Sequence, residues 1–286
     1  MHSKKDSADG LWKATEEMEL SARSALRAAL GEYEPAVQAC YEAGVQSAAI
    51  GARKEIPTHL AVAGLFLKKA LTDLRCAWLL LTTGYTSPAA AVVASLWENA
   101  LSVATIANHP ECLPEIKGAE GDIPWSPQDL AKRCAKDFTK ASLQAGVTDK
   151  YERMWREVYG QYKWICKIKH PTMRSAVHDA FGASVKSNEY VIMAAPDLRP
   201  EDRVAKVMLL SIAVTRMVEA ITAFVAARVP EDQDPAYLDY GSMIRKVLEG
   251  IQLFSKGLEG PLPFHIADEK VAAEYRALRP PSRVDA

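Results

Sequence analysis

The sequence predicts an all-α protein, a multi-helix bundle packed around a central apolar helical hairpin. Two observations carry the fold class. Apolar residues recur every three or four positions in one segment after another, the repeat of a helix with one buried face, and no segment shows the apolar-polar alternation of a strand. A third observation places the hairpin: from Cys76 to Trp97 the chain has no charged residue. A membrane span needs about 20 such residues, but "TTGYTSP" interrupts this one, with Gly84 after one apolar run and Ser87-Pro88 opening the next. Glycine stops helices and serine-proline starts them, so the stretch reads as two helices and a turn, buried in a protein core.

The elements follow in chain order. Met18, Ala22, Ala25, Leu26, Ala29 and Leu30 form a first stripe that ends at Gly31. A second helix starts near Pro35 and turns Val37, Cys40, Tyr41, Gly44, Val45 and Ala48 to one side. Thr58 is expected to cap a long helix through Leu60, Leu67, Leu71, Leu74 and Trp78, and Ser87 its partner through Leu96, Leu101 and Ile106. That partner is apolar nearly all round, the pattern of a central helix. "NHPECLPEIKGAEGDIPW" holds too many prolines and glycines for a long regular element and reads as a surface loop. Ser126, with Asp129 three residues on, resembles a capping box and opens a helix through Leu130, Cys134 and Phe138. The next helix, from Thr148, carries Tyr151, Met154, Trp155, Val158, Tyr159, Tyr162, Ile165 and Cys166 on an aromatic-rich face and ends before His170-Pro171. Pro200 opens a helix in which Val204, Val207, Val214, Val218, Ile221 and Val225 approach heptad spacing, a seam suited to bundle or dimer packing. Asp234-Pro235 begins the last long helix, through Leu238, Ile244, Val247, Leu248, Ile251 and Phe254.

These elements divide the chain into a flexible N-terminus (1–10), one helical domain (11–254) and a loosely held tail (255–286) with a short helix expected from Asp268 to Leu278. Apolar residues at 49% supply an ample core and exclude a wholly disordered chain. With 35 Lys and Arg against 36 Asp and Glu, the net charge of -1 gives no global attraction to nucleic acid or anionic lipid. Any such contact needs a local patch. The five cysteines are widely spaced and include no C-x-x-C pair, so they suggest neither a disulfide framework nor a zinc site. The polar start "MHSKKDSADG" does not read as a secretory signal. The expectation is a cytoplasmic protein with no membrane span, no cofactor and no metal.

Two constellations stand out as candidate sites. On the hairpin, residues equally far from the turn lie level, because both arms rise equally per residue; Asp73, Arg75 and Glu98 are therefore expected to meet. Such a cluster is either a structural ion pair that locates two helices or a site with tuned protonation. The second constellation is "CKIKHPTMR", with Lys163 and Lys167 before His170, and Lys169 and Arg174 beside it. Basic residues cap a helix C-terminus well. The same residues also suit an anion site, with His170 exchanging protons and the cations holding a phosphate. Tyr159, Tyr162 and Trp164 would serve as core or as stacking surfaces for a base. His170, His178 and Asp179 are acceptable metal ligands by type but lack a ligand spacing, and Cys166 near His170 reads as a buried thiol rather than a nucleophile.

The segments "LTTGYTSPAAAVVASLWENAL" and "YKWICKIKHPT" resemble a bacterial all-helical family of unassigned function, similar in outline to HEPN-type proteins. Gly84-Tyr85, Ala91, Leu96, Glu98, Tyr162, His170 and Pro171 carry the likeness. The resemblance implies an RNA-binding or RNA-cleaving protein of bacterial stress or defence, with RNA or a phosphorylated ligand at His170. HEPN nucleases pair an arginine with the histidine, whereas Lys163 stands at that spacing here and lacks the planar fork of arginine. Two other readings stay open: an oligomerising or regulatory module that uses the face from Val204 to Val225, and a small-molecule binder with Arg75 and Glu98 in its pocket. A homo-oligomer, in the simplest case a homodimer, is expected.

Overall fold

The computed structural model describes residues 5–50, 55–120, 122–182, 184–186, 189–190, 192–228 and 234–258. Their helices are α1 (Lys5–Leu30), α2 (Glu34–Ser47), α3 (Thr58–Thr83), α4 (Thr86–Asn108), α5 (Leu113–Gly118), α6 (Pro127–Phe138), α7 (Lys140–Gln144), α8 (Asp149–Lys169), α9 (Met173–Gly182), α10 (Pro200–Ala227) and α11 (Pro235–Gly257). The fold is all-α, as the helical periods require. Between α9 and α10 two short strands, β1 (Ser184–Lys186) and β2 (Glu189–Tyr190), pair antiparallel. They are too short for an alternating pattern to register in the sequence.

The α3–α4 hairpin lies at the centre, and α4 packs on α3, α10, α8 and α6. Ala89, Val93, Leu96, Trp97, Leu101 and Ile106 of α4 are buried, and in its second half every residue from Ala100 to Ala107 is buried, so that part is enclosed on all sides. Both α4 and the Asp202–Ala227 part of α10 are long and apolar enough to cross a membrane by length and composition, and both are mostly buried against their neighbours here. The hairpin turn depends on Gly84, which ends α3 at φ 99°. In that left-handed region the Tyr85 N–H reaches the Leu80 carbonyl at 2.9 Å and closes the last turn. The same glycine admits a crossing segment: an added Cβ would meet Pro196 Cβ at 2.7 Å, and the Asp197 N–H donates to the Gly84 carbonyl at 3.0 Å.

Several expectations need correction. Ser87 is not the cap of α4; it is already helical, and its hydroxyl donates to the Ile168 carbonyl of α8. Thr58 is likewise the first residue of α3 and makes no capping bond. The stretch read as a loop contains a 3-10 turn (Pro110–Cys112) and α5, because Pro110 and Pro114 fall at the starts of turns, where a missing N–H costs nothing. On α2 the buried face is Ala36, Val37, Ala39, Cys40, Ala43, Gly44 and Ser47, with Tyr41 and Val45 exposed. The valine seam of α10 is spent inside the bundle, with Val207, Val214, Ile221 and Val225 buried. It is not an exposed oligomerisation face. Residues 5–10, expected to be flexible, begin α1, and the tail from 259 onward, with its expected helix, lies outside the described residues. The capping box of Ser126 and Asp129 forms as expected, and the last long helix begins at Asp234-Pro235 as expected, with the Asp234 side chain accepting from the Ala236 N–H.

Candidate functional site

At the N-terminal ends of α4 and α10 lies a buried polar network. Asp202, in the first turn of α10, and Lys206, one turn on, are both fully buried and form an ion pair. Asp202 also accepts from the Thr86 hydroxyl at 2.5 Å and pairs with His178 Nε2 of α9 at 2.8 Å. Lys206 donates to the Asp197 carbonyl at 2.9 Å. The Asp197 carboxylate is held by Arg199, whose Nε lies 2.9 Å away, and Arg199 donates further to the His178 carbonyl at 2.8 Å. Burial pushes the Asp202 carboxyl up, but the His178 bond and the Lys206 ammonium outweigh it and hold it below the usual carboxylate range.

His178, Asp197 and Asp202 present donor atoms within 4.8 Å of one another, a grouping that resembles a metal site. The charges argue against that use. Each carboxylate already faces a cation, Lys206 or Arg199, and a divalent ion would have to displace a fully buried ammonium. The network's chemistry is that of a fastener, tying α9, α10 and the hairpin turn together. Asp179, the neighbour of His178, points to solvent and takes no part.

Above this network sits the α8–α9 corner. His170 ends α8 in extended conformation, φ -77° and ψ 146°, as the following proline demands. Its carbonyl accepts from the Thr172 N–H at 2.7 Å and the Ser175 hydroxyl at 2.5 Å. Thr172 and Ser175 form a reciprocal cap at the start of α9, with both N–H to Oγ distances at 3.2 Å. The imidazole itself is exposed and makes no hydrogen bond among the described residues. Lys167 is half-buried, Lys163 is exposed and stacks over the Tyr159 ring at 5.2 Å, and Lys169 covers the Tyr162 ring at 5.1 Å. Arg174 belongs to α9, and its side chain lies outside the described residues.

Asp73, Arg75 and Glu98 do not meet. Asp73 faces α4 but takes Lys69 of its own helix, Ser95 and Asn99 as partners. Arg75, two residues on, is rotated away and exposed, and lines a shallow cleft with Tyr41 and Trp78 between α2 and α3. Glu98 turns to α8, where it accepts from the Tyr162 hydroxyl at 2.6 Å. Equal rise set the level correctly; the helical rotation between positions decided the partners. The expected pocket shared by Arg75 and Glu98 is therefore absent among the described residues.

The Glu98–Tyr162 bond joins two positions of the family-like segments, one on each of two packed helices. Burial, then the Glu98 bond, raises the Tyr162 phenol well above its ordinary range, so it stays a donor. Burial likewise pushes the Cys166 thiol up, against the nearby Lys169, which makes it a poor nucleophile. Trp164 is buried, and the tilted Trp97–Tyr162 pair at 5.0 Å packs as core. The residues missed by sequence reasoning are Thr86, Asp197, Asp202 and Lys206. One signal was available: Asp202 and Lys206 stand four apart, with Lys206 inside the apolar run "VAKVMLL", where a lysine needs a partner. The chain matches no family model, no curated protein and no solved structure.

Proposed function

We propose that this is an HEPN-like helical protein that binds RNA through its sugar-phosphate backbone at the α8–α9 corner. One observation carries the reading: the exposed His170 imidazole, unbonded among the described residues, follows the half-buried Lys167 in the chain and stands immediately before the capped start of α9. A helix start favours negative charge, and lysine and histidine add mobile donors for phosphate oxygens. Binding is favoured over cleavage, because an acid-base reaction needs a second proton-transfer group. Lys163, the residue at the family's arginine spacing, is engaged over Tyr159. A cytoplasmic location and a role in bacterial stress or defence belong to the same proposal.

The test is fluorescence anisotropy with single-stranded RNA of mixed sequence over a range of salt. His170→Ala should weaken binding with helicity unchanged, and Lys167→Ala should lower the slope of log K against log salt by about 0.7, one phosphate contact. No binding at low salt overturns the reading, and RNA cleavage that His170→Ala abolishes would replace binding with catalysis. A homodimer is proposed alongside, supported by exposed Tyr41 and Val45 on α2 and Leu238 and Leu248 on α11. Light scattering that gives only the 31.3 kDa protomer at all concentrations removes it.

A further inference from the structure

The shallow cleft between α2 and α3 has a volume of about 220 Å³. None of its lining comes from α8 or α9, so it is separate from the proposed RNA site. Glu34, Val37, Gln38 and Tyr41 line it from α2, at the i, i+3, i+4, i+7 spacing of one helix face. Leu74, Arg75 and Trp78 line it from α3. Val37, Leu74 and Trp78 are buried and make an apolar floor, whereas Tyr41 stands exposed at the rim. Gln38 is turned to Glu42, its amide donating to that carboxylate at 2.7 Å. At ~30 Å³ per water-sized group, the space suits on the order of seven, about the bulk of a small metabolite.

The charges of this cleft are balanced and unspent. Glu34 and Arg75 are the two charged residues of its described lining, and among the described residues neither makes a hydrogen bond or an ion pair, with the other or with a neighbour. Asp73, two residues before Arg75, is by contrast held by Lys69, Ser95 and Asn99. The floor adds a donor, because the indole N–H of Trp78 makes no hydrogen bond among the described residues although the side chain is only 1% exposed. Two opposite charges over an apolar floor select a ligand by elimination. An anion alone would face Glu34, a cation alone would face Arg75, and an uncharged apolar molecule would desolvate both without giving either a partner.

We infer that this cleft binds an apolar amino acid, with its carboxylate on the Arg75 guanidinium, its ammonium on the Glu34 carboxylate and its side chain against Val37, Leu74 and Trp78. Such a molecule carries both charges and an apolar body, so it leaves no wall of the cleft without a counterpart. The planar fork of arginine suits a carboxylate, which it takes through two parallel hydrogen bonds.

The probe is leucine, titrated by calorimetry and by NMR of the Trp78 indole N–H. The controls are 4-methylpentanoate, which lacks the ammonium, and 3-methylbutylamine, which lacks the carboxylate. Leucine should bind, and each control about tenfold more weakly, because one charge-assisted contact separates it from leucine. Glu34→Gln should bring leucine down to the level of 4-methylpentanoate, and Arg75→Gln to that of the amine. Gln38→Trp, at an exposed position, should block all three by filling the cleft. The inference is overturned if leucine does not bind, if the three probes bind alike, or if any of these variants binds leucine as the wild type does. Tyr41 also belongs to the face proposed for a second copy, so light scattering that gives a dimer split by Tyr41→Glu overturns it too, because the partner then covers the cleft.

Discussion

Replacing Lys206 with methionine keeps an unbranched stem in the core and deletes the ammonium. In the native protein that ammonium faces Asp202 and donates to the Asp197 carbonyl, with both side chains of the pair fully buried. The variant leaves Asp202 with Thr86 and His178 as its side-chain partners among the described residues, so a buried charge loses its ammonium counter-ion. Stranding one partner of a buried pair costs about 3 to 5 kcal/mol. At about 2 to 4 °C per kcal/mol for a large domain, the melting point should fall by roughly 10 °C. Urea unfolding and calorimetry measure it. Adding Asp202→Asn to the Lys206→Met protein should recover part of the loss, since a neutral amide needs no counter-ion. The pH dependence follows with a definite sign. Asp202 is held below its ordinary 3.8, so its contribution is present above that value and fades as pH falls below it. Without Lys206 the carboxyl rises, and acid unfolding should begin at higher pH. A Lys206→Met protein within about 1 kcal/mol of wild type, or a double variant worsened by the sum of the single losses, refutes the buried-pair reasoning.

Other outcomes are equally specific. Gly84→Ala should cost roughly 1 to 2 kcal/mol for the left-handed backbone alone, and more because the added Cβ would meet Pro196 Cβ at 2.7 Å; a melting point equal to wild type would show that the crossing segment yields freely. Tyr162→Phe should cost about 1 kcal/mol or more by leaving Glu98 without its donor, whereas Glu98→Gln, which keeps an acceptor oxygen, should cost less, as chemical denaturation would show. Glu219 has the opposite pH sign from Asp202. Its carboxyl is raised from 4.5 to about 7 by burial, so the folded state holds its proton more tightly and stability should fall as pH rises between those values. Glu219→Gln should flatten that part of the stability curve, and an unchanged slope would assign it to another group.

The hairpin was legible because the chemistry that makes it is local. Gly84 supplies a left-handed residue where two apolar runs meet, and a reader of the chain needs no knowledge of what packs outside. The box of Ser126 and Asp129 is local in the same sense. The α3–α4 polar cluster failed for a different reason. Level is set by rise, but partner choice is set by rotation, and the two-position step from Asp73 to Arg75, about 200° around the axis, puts them on different sides of α3. The buried network was illegible as a whole because its members come from α4, α9, the segment before α10 and α10 itself. Only the i, i+4 pair of Asp202 and Lys206 is visible in one stretch of chain. The cap of α9 was overlooked because threonine and serine three residues apart are a common pair, and Pro171 draws attention to the helix that ends rather than the one that begins.

The corner at His170 combines a fixed backbone with a side chain that makes no hydrogen bond among the described residues. Ser87 holds the Ile168 carbonyl from the first turn of α4, and the next residue back, Thr86, holds Asp202. Past the corner, Thr172 and Ser175 bind the His170 carbonyl, and α9 is anchored by His178 to Asp202 and by Arg199 to the His178 carbonyl. The backbone on either side of His170 is thus fastened to one buried network, so the cost of ordering the corner is met within the fold rather than at binding. If these bonds served only to end a helix, the terminal carbonyls alone would need partners. The extra fastening of α9 through a fully buried lysine and aspartate costs desolvation that a simple helix end does not require. If His170 binds RNA as proposed, its ring stands on a backbone that this fastening already holds in place.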